Sequence, residues 1–290
     1  MKVLVLGSSG QLGSHLRELL GQAVFWDKAQ ADFRNPLALR KLAISANPDV
    51  IINAAAYTAV DKAEEESDLA EIVNHDAPQA LAEAANACDA LLVHFSTDYV
   101  FDGFGESPYQ PDDVTNPTGV YGRTKLAGDL AVAEYCDKYW IFRVGWVFSE
   151  HGNNFVKTML RLAQERDKVS VVDDQRGRPT YAGSIARMCV DLLGGAQVCG
   201  LPSGTYHIAG GPIVSWYQFA REIFEQAYSL GLLAKRMVVE PITTAEYPTL
   251  APRPPYSALR LSPDLSEHLS FELDWIVDLT SALRAMSLRA

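Results

Sequence analysis

The sequence predicts an α/β protein in which a parallel sheet is wound between two layers of helices and a smaller lobe follows it. Three observations carry this. Short β-branched or leucine-rich runs alternate with stretches whose apolar residues recur at spacings of three and four, the pattern of β-α-β units. The first run passes directly into a glycine-rich turn, Gly7-Ser8-Ser9-Gly10-Gln11-Leu12-Gly13, that opens the first helical stretch. After Arg143 the alternation loosens into the irregular, loop-rich chain in which substrate-specific parts usually reside. The fold class is therefore α/β, a doubly wound parallel sheet (Rossmann-like) with a smaller C-terminal substrate lobe.

The elements follow in order. Strands are predicted over residues 2–6, 23–26, 50–53, 91–95 and 139–143, with crossover helices over 11–20, 37–46, 69–87 and 119–135. Beyond them come a helix over 154–165, a strand over 169–172, a helix over 184–193, a strand over 205–208 and a helix over 215–228. A proline-rich loop over 248–255 and a terminal helix over 274–285 complete the chain. Residues 1–147 are read as a dinucleotide-binding domain that also takes elements from 152–195, and 148–290 as mainly a substrate-binding lobe. Such folds bind ligands in a cleft at the carboxyl ends of the strands.

Composition narrows the function. The chain has 290 residues, 48% hydrophobic and 21% charged, which is enough to bury a sizeable core. A net charge of −11 repels polyanions and argues against nucleic acid as a partner, while a phosphorylated small molecule needs only a local basic cluster. Cys88, Cys136, Cys189 and Cys199 fall in no metal or redox spacing and read as reduced core thiols. His15, His75, His94, His151, His207 and His268 show no metal-binding spacing either, so no metal is expected. The apolar run Val3–Leu6 is too short for a signal peptide and no run is long enough to cross a bilayer, so a cytoplasmic protein without a membrane partner is expected.

The turn from Gly7 to Gly13 has the spacing G-x-x-G-x-x-G between a strand and a helix, which is the context a dinucleotide fingerprint requires. Glycine lets the backbone approach a pyrophosphate, and the helix N-terminus meets its charge. Asp27, twenty residues past Gly7 and just beyond the second strand, suits an adenosine ribose. Lys28 follows it and suits a 2′-phosphate, so the cofactor is NADPH or NADH with no choice made between them.

Tyr121 and Lys125 stand at i and i+4 on the helix after the fourth strand. Alone, that spacing is equally what an exposed helix face shows. Position gives it weight, because Ser96-Thr97-Asp98-Tyr99-Val100-Phe101 ends the fourth strand and delivers a hydroxyl to the cleft. A ketone receiving hydride develops alkoxide charge and needs a proton donor and a hydrogen bond at that oxygen. Tyr121 is the expected donor and Thr97 the expected hydrogen-bonding group. Lys125 is expected to pull the phenol's pKa down from about 10 and to hold the nicotinamide ribose.

At these residues the sequence resembles the extended short-chain dehydrogenases, and within them the dTDP-4-dehydrorhamnose reductases, over nearly the whole chain. The resemblance rests on 7–13, 53–64, 96–101, 121–125 and 174–182, with Arg253-Pro254, Ser257 and Leu259 as a degraded form of the family's C-terminal signature. It implies hydride transfer from a nicotinamide cofactor to the C4 ketone of a nucleotide sugar, dTDP-4-dehydro-L-rhamnose. It further implies that Gly10, Gln11, Leu12, Asp27, Asp32, Phe33, Ala56, Tyr57, Thr58, Tyr121 and Lys125 hold the cofactor. Val60, Thr97, Asp98 and Trp146 would touch the sugar nucleotide, and Arg178 and Arg253 are candidates for its diphosphate. Some relatives use a first-helix glutamate to help a magnesium ion bridge a homodimer. This chain has His15 there, which weakens the dimer expectation, and Tyr256 where the C-terminal signature usually has asparagine.

Two rival readings share these motifs. A nucleotide-sugar epimerase or dehydratase keeps the tyrosine and lysine but regenerates its NAD within each turnover. A regulator, like the relative that serves as the regulatory subunit of methionine adenosyltransferase, keeps only the nucleotide fold. The complete set Thr97, Tyr121 and Lys125 argues against the second.

Overall fold

The computed structural model describes residues 1–194, 200–269 and 271–288; Cys199 lies outside them. In the first half, β1 (Val3–Leu6), α1 (Gln11–Leu19), β2 (Val24–Trp26), α2 (Pro36–Ala46), β3 (Val50–Asn53), α3 (Ala77–Ala87), β4 (Leu91–Thr97), α4 (Val120–Tyr135) and β5 (Tyr139–Val144) alternate as the sequence predicts. They are followed by α5 (Phe155–Glu165), β6 (Lys168–Val172), α6 (Ala182–Leu193), β7 (Gly204–Ile208), α7 (Trp216–Ser229), β8 (Val238–Ile242) and α8 (Trp275–Ser287).

Six strands form one parallel sheet in the order β7-β5-β4-β3-β1-β2. The chain leaves β1 toward β2 and returns on the other side to β3. That reversal opens a crevice beyond the carboxyl ends of β1 and β3. Side chains alternate across the sheet. Val3, Val5, Val50, Ile52 and Val93 pack with Leu16 of α1 and with Ile185, Met188 and Leu192 of α6. Leu4, Leu6, Ile51, Leu92 and Ile141 pack on the opposite side with Leu39 of α2, Leu81 and Ala85 of α3 and Val132 of α4. Helices cover both faces, so these strands are apolar throughout.

The helix expected over 69–87 is interrupted. Ser67–Glu71 is α-helical, Ile72–Asp76 is a π-turn and α3 follows. Pro78 has no N–H for the Asn74 carbonyl four residues back, and Ala77 N–H bonds Ile72 O in the five-residue pattern. The Asn74 carbonyl instead lies against Gly128 of α4, where a Cβ would sit only 2.1 Å from it.

The C-terminal part has its own core. Phe148, Val156, Met159, Phe219, Ile223, Trp275, Leu279 and Leu283 pack where α5, α7 and α8 meet β6. β8, which the sequence reading does not contain, pairs in parallel with β6 from Val238↔Lys168 to Ile242↔Val172. Its exposed Val238 and its Pro241 hide the strand pattern, since proline is confined to sheet edges and strand ends.

Candidate active site

The glycine turn closes the crevice on one side. Gly7 N–H and Ser8 N–H both bond Trp26 O, at 3.1 and 3.3 Å, which seats the turn beside the end of β2. Gly7 has φ +78, and a Cβ on it would lie 2.6 Å from Ala55 N in the chain leaving β3. A Cβ on Gly13 would lie 2.2 Å from Gly7 O, so glycine is required for α1 to start this close. No side chain caps α1 and no acidic residue stands in its first turn. The buried Ser8 hydroxyl has no hydrogen-bond partner. Free amides, a helix dipole and an unused hydroxyl fit a pyrophosphate.

Around the turn, Asp27 Oδ1 accepts Ala29 N–H at 2.8 Å, its side chain half-buried. Asp32 is engaged by Arg34, whose Nε and Nη2 donate to it at 2.9 and 2.7 Å. Those bonds hold the Asp32 carboxyl down at about 2. Phe33 is buried. The loop Ala56-Tyr57-Thr58 is fixed by Asn74, which accepts Tyr57 N–H at 2.8 Å and donates to Tyr57 O at 3.1 Å. Glu64 Oε1 accepts Val120 N–H at 2.8 Å and so caps the helix that carries Tyr121.

Across the crevice, β4 runs two residues beyond its predicted end, to Thr97. A 3₁₀ turn over Asp98–Val100 follows, with Thr97 Oγ1 accepting Tyr99 N–H at 3.2 Å. Thr97 Oγ1 donates to Asp98 Oδ1 at 3.1 Å. Tyr99 and Tyr121 meet edge to face, ring centroids 5.7 Å apart. Burial pushes the Tyr121 phenol up to about 12, and its hydrogen bond with Thr97 pulls the other way. Burial also raises the Asp98 carboxyl to about 6, against Ser257 and Thr97, which lower it.

Lys125 does not meet its expectation toward Tyr121. Its ammonium is buried, donates to Phe95 O at 2.7 Å and stands 3.2 Å from His94 Nε2. Burial lowers its pKa to about 8 and Asp129 raises it. Desolvation therefore governs the phenol, which rises instead of falling. Behind the lysine, Ala55 N–H bonds Asn53 Oδ1 at 3.1 Å, which turns Asn53 Nδ2 to His94 Nδ1 at 3.0 Å. Arg143 Nε donates to Asp129 Oδ2 at 3.2 Å, completing a buried group of charges under the site.

The remaining candidates divide. Arg253 Nη2 donates to Asp61 Oδ2 at 2.7 Å, Ala251 N–H bonds Asp61 Oδ1 at 3.1 Å, and the pair ties the proline-rich loop to the helix Val60–Ala63. Arg253 Nη1 is buried without a partner; burial raises the pKa of Tyr99, and the Arg253 charge opposes that rise. Arg178 lines an open cleft of about 550 Å³ with Ala209, Leu261, Phe271 and Glu272. Its Nε is also unpartnered, and burial lowers its pKa. Trp146 has φ +49 and stacks on Trp216 at 3.5 Å.

Sequence reasoning gave no site role to Asn74, Asp129 or His94. A signal existed for one of them: Asp129 continues the spacing Tyr121, Lys125 by four more residues along α4. Asn74 reaches Tyr57 across 17 residues of chain and His94 reaches Lys125 across 31, and local pattern does not show them.

Comparison with known proteins gives a consistent result. A family model described as the RmlD substrate binding domain matches residues 1–287. The dTDP-4-dehydrorhamnose reductase of Salmonella typhimurium is 42% identical over 266 residues, 89% of this chain and 89% of that protein. A crystal structure of a dTDP-4-dehydrorhamnose reductase from Clostridium acetobutylicum matches with a TM-score of 0.89 at 38% identity, covering 99% of this chain and 100% of that one. The Bacillus anthracis dTDP-4-dehydrorhamnose reductase, solved in complex with NADP, matches with a TM-score of 0.87 at 34% identity, over 100% of this chain and 99% of that one.

Proposed function

We infer the activity from one premise: the chain belongs to the family described as the RmlD substrate binding domain. The protein reduces the C4 ketone of dTDP-4-dehydro-L-rhamnose to give dTDP-L-rhamnose, with NADPH or NADH as reductant. Within the molecule, the observation that carries this reading is the buried Tyr121 phenol, close to Thr97 at the carboxyl end of β4 and edge to face with Tyr99.

When bound, the reduced nicotinamide supplies hydride to C4. The residues of this chain do the rest. A phenol with a pKa near 12 keeps its proton at neutral pH, which is the state a donor to a developing alkoxide needs. Thr97 turns its hydroxyl from Asp98 to the same oxygen. Lys125, held by Phe95 O, supplies positive charge below that oxygen and a donor for the nicotinamide ribose. Gly7, Gly10, Gln11, Leu12 and Gly13 receive the pyrophosphate. Asp27, Asp32 and Phe33 take the adenosine end, and Ala56, Tyr57 and Thr58 line the path between. Val60, Asp98 and Trp146 face the sugar nucleotide, and Arg178 and Arg253 are the candidates for its diphosphate.

The division of labour between 1–147 and 148–290 belongs to the same proposal, with β7 contributed to the sheet from the second segment. So do a cytoplasmic setting and a homodimer, the latter testable from the protein's size in solution. Among the described residues no helix is long and apolar enough to cross a membrane.

The test is to mix protein, NADPH and dTDP-4-dehydro-L-rhamnose while following absorbance of the reduced nicotinamide. Oxidation stoichiometric with product is expected. Conversion of the sugar without net oxidation would assign the protein to the epimerases or dehydratases. Oxidation only with a different 4-keto sugar nucleotide would keep the mechanism and remove the substrate.

A further inference from the structure

We propose that Trp216 and Gly177, both supplied by the second part of the chain, are positioning residues: they form a slot that fixes the Trp146 indole and so set how firmly the sugar end of a nucleotide sugar is held. The inference deepens the function proposed above and rests on it, since it takes Trp146 to meet that sugar.

The sheet puts Trp146 at the crevice. Val144, the last residue of β5, is the register partner of Thr97 at the end of β4. Gly145 follows, and a Cβ on it would lie 2.7 Å from Asp98 Oδ2, so the chain passes directly against the carboxyl beside Thr97. Trp146 comes next, half-buried and with φ +49, a backbone conformation that bulky residues seldom adopt and that only firm surroundings hold. Its carbonyl accepts Thr180 N–H at 3.3 Å.

Two contacts hold the ring. Trp216 lies flat on it, with centroids 3.5 Å apart and planes 4° apart. Aromatic pairs otherwise prefer offset or edge-to-face arrangements, with centroids about 4.5–7 Å apart, so the surroundings impose this stack. Trp216 is itself wedged by Phe155, centroid 4.6 Å away, and the two are the first residues of α7 and α5. Against the same indole stands Gly177. A Cβ there would lie 2.4 Å from Cε2 and 2.5 Å from Nε1, so any side chain would displace the ring. The two supports are joined, because Val214–Ser215, just before Trp216, pairs antiparallel with Arg176–Gly177. Ser215 caps α7 by accepting Gln218 N–H at 3.1 Å and donates its hydroxyl to Asp173. The slot is thus built before a ligand arrives, and Trp146 has little freedom left to lose on binding.

The test measures binding by titration calorimetry with two probes, dTDP and dTDP-L-rhamnose, which share the nucleotide and differ in the sugar. Trp216→Ala should weaken dTDP-L-rhamnose roughly tenfold and change dTDP by less than about twofold. Trp216→Phe, which keeps a flat ring on the stack, should restore most of the affinity, and Gly177→Ala should reproduce the loss. In steady state the same split is a raised KM for the sugar nucleotide with kcat and the KM for NADPH little changed. Two stacked indoles couple their transitions, so the parent should show an exciton couplet in circular dichroism that both Trp216 variants lose. Equal loss for the two probes would reduce Trp216 to a core residue and overturn the slot, as would an unchanged affinity of Trp216→Ala for dTDP-L-rhamnose. A parent that binds neither probe would instead overturn the reading of function on which the slot depends.

Discussion

At the amino end of α1 the groups offered to a ligand are backbone amides, whereas at the carboxyl end of β4 they are buried side chains. The first region works by omission. Gly7 and Gly13 remove side chains so that strand, turn and helix approach within 2.2–2.6 Å of where a Cβ would be. The second works by desolvation: Tyr121, Lys125 and Asp98 all have pKa values moved chiefly by burial. A backbone site tolerates changes in nearby charge and fails on added bulk. A desolvated charge site does the reverse, and each prediction tests that contrast.

The largest effect should come from Tyr121→Phe, which removes the proton donor and keeps the ring. Turnover should fall by about 10²–10⁴-fold with NADPH binding unchanged, measured by absorbance and titration calorimetry. Rapid turnover in the variant would transfer the donor role elsewhere.

Lys125→Met comes next. Folded, Lys125 titrates at about 8, and unfolded near its ordinary 10.5. Between those values the unfolded chain binds more protons, so the lysine's destabilising contribution is full below pH 8 and fades as pH rises through 10.5. It amounts to roughly 3 kcal/mol. The variant should therefore be inactive yet more stable than the parent at pH 7, with the gap in urea unfolding closing toward pH 10.5. A gap independent of pH would show that burial is not what moves this group.

In the backbone region Gly13→Ala should lower stability by about 1–3 kcal/mol and abolish tight NADPH binding, because the added methyl would lie 2.2 Å from Gly7 O, a backbone atom and not the end of a flexible side chain. Normal binding in this variant would erase the contrast between the two ends. The smallest effect is expected for Asp27→Asn, which keeps the shape of the side chain and weakens its acceptance of ribose hydroxyls. NADH affinity should fall by roughly 1 kcal/mol, near fivefold, while NADPH changes less.

Much of the first region was legible. The alternation of apolar runs fixed β1 to β5 because strands covered on both faces need continuous hydrophobicity, and Gly7, Gly10 and Gly13 marked the turn because few other residues allow that approach. Thr97, Tyr121 and Lys125 could be singled out along the chain, while the direction in which burial moves the Tyr121 phenol could not. The expectation that Lys125 lowers the phenol assumed that a charge one helical turn away dominates. Buried as they are, desolvation outweighs it, and the ammonium is bound to Phe95 O. The π-turn at Ile72–Asp76 was signalled only by Pro78, and β8 was masked by Pro241.

The sequence by itself determined the doubly wound sheet and the glycine turn, since each depends on neighbours within about one turn or strand. Tertiary structure alone decided that Asn74 holds the Tyr57 loop, that Arg253 pairs with Asp61 192 residues away, and that His15 meets His151 across 136. Spacing along the chain carries no information about such meetings. They are fixed by how helices pack on a sheet, and burial then sets the charge each group can keep.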